Sequence, residues 1–104
     1  MQLGALSVSL AVKNISQKWL ILKNGNALIG LFEGMFEQNI ITFNPGWDEN
    51  AQPVDPFDDV RQIQARLKES GISLTTETPT EGTGPGYITL TDPDGNQILI
   101  DQHR

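Results

Sequence analysis

Cysteine is absent from this chain, so a disulfide framework, a thiolate nucleophile, a Cys-based zinc site and a thiol redox relay are excluded at the outset. Basic residues are scarce, with 7 Lys plus Arg against 13 Asp plus Glu and a formal net charge of −6. Phosphate binding rests on clustered Lys and Arg, and no such run exists, so neither nucleic acid nor an anionic membrane surface is expected as a partner. Long hydrophobic runs are missing too. Residues 1–7 have neither a basic start nor a sustained apolar stretch, and Lys13, Lys18 and Lys23 break every candidate membrane span. The cytoplasm is therefore the default expectation for location. What is present is 104 residues with 38% hydrophobic content, which fits one domain with a single core and excludes two.

Hydrophobic periodicity organises the chain. Leu6, Val8, Leu10 and Val12 alternate with Ser7, Ser9 and Ala11, which predicts a strand with one buried face over residues 6–12. Residues 19–23 and 27–33 read as two strands joined by a tight turn at Asn24-Gly25. Residues 39–44 form a further strand that stops at Pro45-Gly46, and the polar segment 47–54 is a loop. Asp55 as N-cap, Pro56 at the first helical position, and Asp58 and Asp59 in the first turn predict a helix. Its apolar stripe is Val60, Ile63 and Leu67, and Gly71 is its stop. Residues 72–76 resemble a strand, 78–86 a loop, and 87–91 with 97–101 a second hairpin around Asp92-Pro93-Asp94-Gly95-Asn96. The second half thus reads strand, helix, strand, strand, strand, and the first half reads as a shorter copy of it.

Several local motifs dissolve on inspection. Asp92-Pro93-Asp94-Gly95-Asn96 lacks the downstream bidentate Glu of a calcium loop and is better read as a turn. Gly82-Thr83-Gly84-Pro85-Gly86 precedes a strand, opens no helix and is followed by no Lys-Ser or Lys-Thr, so it does not read as a phosphate cradle. No Ser, His and Asp arrangement with nucleophile-elbow flanks occurs. His103, the single histidine, would need a pocket and an orienting partner to act as a general base; side chains at positions i and i+2 of a strand extend apart, so a solvated histidine is expected there.

The order of three segments gives the chain a family likeness. Ser7-Val8-Ser9-Leu10-Ala11-Val12-Lys13-Asn14, then Asn39-Ile40-Ile41-Thr42-Phe43 before the helix, then Asp92-Pro93-Asp94-Gly95-Asn96-Gln97-Ile98-Leu99-Ile100 resemble the vicinal oxygen chelate superfamily of glyoxalase I, bleomycin-resistance proteins and extradiol dioxygenases. That resemblance implies an α+β fold of two βαβββ-type modules, residues 1–37 and 38–104, whose mixed sheet curls into a ligand-holding cup. The first module lacks its helix and one strand, because the span 13–18 is short by about 20 residues for a mean helix, a strand and their connections. Either the module is trimmed or a segment is missing at this junction.

In metal-binding members of the superfamily, His, Glu or Gln ligands enter the cup from four strands. Carried over by motif, those positions are Ser7, Gly30, Asn39 and Leu99. Gly30 and Leu99 have no donor side chain, and two neutral oxygens from Ser7 and Asn39 cannot compete with water for a divalent cation. Glu33 faces oppositely to Gly30, and only Asp101, two beyond Leu99, keeps the right facing. No metal or other cofactor is expected.

Strand parity then suggests a cup lined by Ser7, Ser9, Asn39, Ile41, Phe43, Leu99 and Asp101, with Trp47 on the adjacent loop, which suits a small organic ligand. The leading expectation is a metal-free protein that binds such a ligand by enclosure. A lyase, isomerase or dioxygenase using Asp101 or His103 is the alternative. A homodimeric interaction module is the third reading, since a first half without one strand would leave a sheet edge needing cover.

Overall fold

The computed structural model describes residues 1–12 and 18–104. Residues 13–17, the junction at which the sequence departs from the family pattern, lie outside the described residues. The elements in chain order are β1 (Ala5–Val12), β2 (Trp19–Asn24), β3 (Ala27–Glu33), β4 (Ile40–Asn44), α1 (Val60–Glu69), β5 (Gly86–Thr91) and β6 (Gln97–Gln102). The result is a small α+β fold whose strands form one mixed sheet in the order β2-β3-β1-β4-β6-β5. β1 runs parallel to β3 and β4 parallel to β6, while the other neighbours are antiparallel. No helix among the described residues is long and apolar enough to cross a membrane.

The first hairpin forms as its sequence predicts, one residue on: Asn24 pairs with Ala27, so the turn residues are Gly25 and Asn26. Gly25 adopts φ +63°, the left-handed conformation such two-residue turns demand. In the second hairpin Asp92 organises the turn by accepting from the backbone N–H groups of Asp94 and Asn96 at 2.9 and 2.8 Å.

The helix begins later than its proline suggests. Asp59, not Asp55, is the N-cap: its side chain accepts from the Arg61 N–H at 2.8 Å, and the Gln62 side chain accepts from the Asp59 N–H at 3.2 Å, completing a capping box. Pro56 follows a cis peptide bond outside the helix, and Asp58 accepts from the Gln2 N–H. Residues 72–76 make no strand either. Only Thr76 bridges to Thr89, because the next residues are diverted when the Gln64 amide clamps both backbone groups of Thr78 at 2.8 and 3.0 Å.

The core lies on one face of one half of the sheet. Val60 and Ile63 of α1 pack on Ile88, Leu90 and Ile100, with Phe43, Ile98 and Leu67 around them. On the same face of the other half no helix is present among the described residues, and Leu6, Val8, Leu20, Leu22 and Ile29 are 38–49% exposed.

Gln102, 1% exposed, ties the core to the loops. Its Oε1 accepts from the Val60 N–H at 2.7 Å, and its Nε2 donates to Asp59, Gly84 O and Arg104 O at 2.8–3.0 Å. Burial opposes ionisation of Asp59. The hydrogen bonds from Gln102 and from the Arg61 backbone and guanidinium outweigh it and hold that carboxyl below its ordinary value.

Candidate functional site

Opposite the helix, the sheet is concave. The register places Ser7 of β1 beside Thr42 of β4, Thr42 beside Leu99 of β6, and Ser9 beside Gly30 of β3, so these five side-chain positions share one face. They line a cavity of about 730 Å³ together with Ile21, Leu28, Phe32 and Phe36. The loop after β4 closes one side with Trp47, Asp48 and Glu49.

That loop is held at many points. Trp47 O accepts from the Ala5 N–H at 3.1 Å, and Val54 donates back to Gly46 O at 2.9 Å. The Asp48 carboxylate accepts from the Asn50 and Gln52 N–H groups. Arg104 donates to Gly46 O and lies 4.7 Å over the Phe57 ring. Lys23 of β2 contacts the Asn50 side chain across the cavity. A loop so fixed presents Trp47 as part of the cavity wall.

Of the residues expected in the cup, Ser7, Ser9, Trp47, Leu99 and Asp101 line it. Ile41 and Phe43 do not. They pair with Val8 and Leu6, whose side chains occupy the opposite face, and Phe43 packs against the core beneath α1. Thr42 and Asn44 take the inward positions of β4 instead. Asn39 precedes that strand and caps the sheet, its side-chain oxygen accepting from the Ala11 N–H at 3.0 Å. The physical reason is that the apolar parity of β4 follows the helix side, where burial is deepest, leaving its polar parity for the cup.

The four metal-ligand positions carried by the family resemblance do not fit a divalent ion. Gly30 and Leu99 supply no donor, Asn39 is engaged outside the cup, and Ser7 and the inward Thr42 offer neutral hydroxyls alone. At Gly30 the space itself is taken. A Cβ there would lie 2.4 Å from the Phe32 ring and 3.3 Å from Ile21, and Phe36 braces that ring edge-on at 5.2 Å. Among the described residues no three His, Asp or Glu side chains gather closely enough to hold a metal.

His103 stays exposed to solvent, as its position suggests, yet it is held by two contacts. Its ring stacks on Trp47 with centroids 4.6 Å apart and planes within 9°, and its Nε2 lies 3.2 Å from Asp101 Oδ2. The stack draws the imidazole back over the cup, closing the distance that strand geometry alone would leave between positions 101 and 103.

A second concavity of about 720 Å³ lies outside the cup, lined by apolar residues including Leu6, Val8, Ile29, Val54 and Phe57. Unlike that concavity, the cup brings an imidazole, a carboxylate and hydroxyls together beside apolar walls.

Comparison with known proteins agrees with the architecture. The family model described as Glyoxalase/Bleomycin resistance protein/Dioxygenase superfamily matches residues 25–100. No curated protein matches the chain. Among solved structures, the chain is similar to a glyoxalase/bleomycin resistance protein/dioxygenase superfamily member from Vibrio splendidus 12B01, with TM-score 0.55, 11% identity, and coverage of 93% of this chain and 97% of that one. At that identity the likeness concerns the fold.

Proposed function

The chain belongs to the glyoxalase/bleomycin resistance protein/dioxygenase superfamily, and from that membership together with the cup we propose that it encloses a small organic ligand without a bound metal ion. The observation that carries this reading is a cavity of ligand size in which, of the family metal positions Ser7, Gly30, Asn39 and Leu99, three face inward without a charged or imidazole ligand and the fourth, Asn39, is engaged outside. Such a lining binds by burying apolar surface and orients by a few polar groups. We read the whole chain as one cytoplasmic domain built from two unequal modules, residues 1–37 and 38–104. Support comes from the pairing: each half has one parallel pair and one antiparallel neighbour, β2-β3-β1 and β4-β6-β5. The helix α1 has no counterpart in the first half among the described residues.

The test has two arms. Titration with zinc, nickel and manganese is expected to give no stoichiometric binding, and stoichiometric binding that confers turnover overturns the metal-free reading. Calorimetry with neutral aromatic hydrocarbons is expected to give binding that Ser7→Phe, which fills the cup, abolishes. Binding that survives Ser7→Phe places the ligand elsewhere and refutes enclosure.

Homodimerisation is part of the proposal. Every residue of β2 is exposed, an uncovered edge that continues into an exposed apolar sheet face. Light scattering at high concentration that detects only monomer removes this element.

A further inference from the structure

The cup is lined by the chain's single imidazole, which when neutral carries one ring lone pair able to accept a hydrogen bond or a proton. His103 and Asp101 both line the cavity, with Nε2 facing Oδ2 at 3.2 Å. A carboxylate at one ring nitrogen selects the tautomer protonated there and leaves the lone pair on the other. That other nitrogen, Nδ1, has no hydrogen-bond partner among the described residues. Asn44 donates to Asp101 O at 2.8 Å and anchors the strand that carries the carboxylate. The Trp47 face against the ring fixes its plane and stabilises it when charged.

Resting on the enclosed-ligand reading, we propose that His103 is the proton acceptor of the cup, its Nδ1 receiving the hydroxyl hydrogen of a neutral, largely apolar ligand. Asp101 is the positioning residue and Trp47 the platform. The charge of the cavity argues for a neutral hydroxyl over an acid anion. Asp48, Glu49 and Asp101 face it against a single Lys23, so a carboxylate or phosphate would be repelled. If the hydroxyl is acidic enough to ionise, its proton passes to Nδ1, leaving an oxyanion beside an imidazolium that Asp101 already balances.

The groups that face His103 and could also titrate are few. They are Asp101 on its own strand, Asp48 and Glu49 on the Trp47 loop, Tyr87, which pairs with Asp101, and Glu77 on the segment before β5. Asp48 is occupied by loop N–H groups and Glu77 by Lys68 at 2.7 Å.

The probes are 2-naphthol and 2-methylnaphthalene, similar in shape and both neutral between about pH 5 and about pH 8, with affinities measured by calorimetry. At about pH 8 the wild-type protein is expected to prefer the naphthol by up to about tenfold, the worth of one hydrogen bond. In His103→Phe, which keeps a ring against Trp47, the ratio should be about one at every pH, and in Asp101→Asn it should be reduced. A wild-type protein that binds both probes equally overturns the assignment while leaving enclosure standing. A preference that persists in His103→Phe overturns it too. If neither probe binds, enclosure of such ligands and the assignment fail together.

Discussion

Replacing Gln102 by Leu should be among the most damaging changes available outside the apolar core, and the hydrogen bonds show why. The amide makes four contacts while 1% exposed. They are not equivalent. Gly84 O keeps the Arg61 guanidinium at 3.1 Å after the substitution, and Asp59 keeps both Arg61 donors, so those acceptors retain partners. The Val60 N–H has no such reserve, being a first-turn helix donor on a residue with 0% exposure. An orphaned buried donor costs about 1–3 kcal/mol, and the weakened bonds to Asp59, Gly84 and Arg104 add about another 1 kcal/mol, for a total of roughly 2–4 kcal/mol. Against a stability of about 5–15 kcal/mol for a domain, that is a large share. Equilibrium urea unfolding should show the loss, and the midpoint of thermal unfolding should fall by roughly 10–30 °C. Arg61→Met in the same background should cost more than in the wild type, because it removes the reserve donor. A Gln102→Leu protein within about 0.5 kcal/mol of wild type would refute this reasoning.

Gln64→Leu should lose about 1–3 kcal/mol in the same assay, because Gln64 is 2% exposed and satisfies both Thr78 backbone groups. Acid should destabilise the fold through Asp59. Its folded-state carboxyl titrates below the ordinary value, so its contribution is full above about pH 4 and disappears as pH falls through the depressed value; Asp59→Asn should flatten urea-unfolding stability in that window. On the exposed sheet face, the pair Leu6→Gln and Leu22→Gln should change the unfolding free energy by about 1 kcal/mol or less while lowering concentration-dependent light scattering.

Local chemistry made much of the architecture legible in advance. Alternation in residues 6–12, the Asn24-Gly25 pair and the Asp92 to Asn96 turn all act within a few residues, and each element formed at or within one residue of those signals. The failures came where tertiary context decided. Asp55-Pro56 looks like a helix start, yet the reciprocal bonds of Asp59 and Gln62 form the better cap, and that four-residue pattern was present in the sequence. Strand parity for residues 40–44 offered two choices, and only the position of α1 shows that Ile41 and Phe43 belong beneath it. His103 is exposed as expected, but its stacking contact was not foreseen, for a related reason. Its partner Trp47 lies 56 positions away, and no local pattern encodes a stacking contact at that separation.

The Phe32 ring over Gly30 gives the cup a direction of change. A single substitution that placed a ligating side chain at position 30 would drive its first carbon into an aromatic ring packed edge-on by Phe36, so the Phe32 ring must move before any ion can be held there. A smaller residue at 32 must come first, and alone it leaves a void with no compensating gain. Descent from a metal-binding ancestor would therefore be easy in one order of steps and obstructed in reverse, and anyone engineering a metal centre here should begin at Phe32.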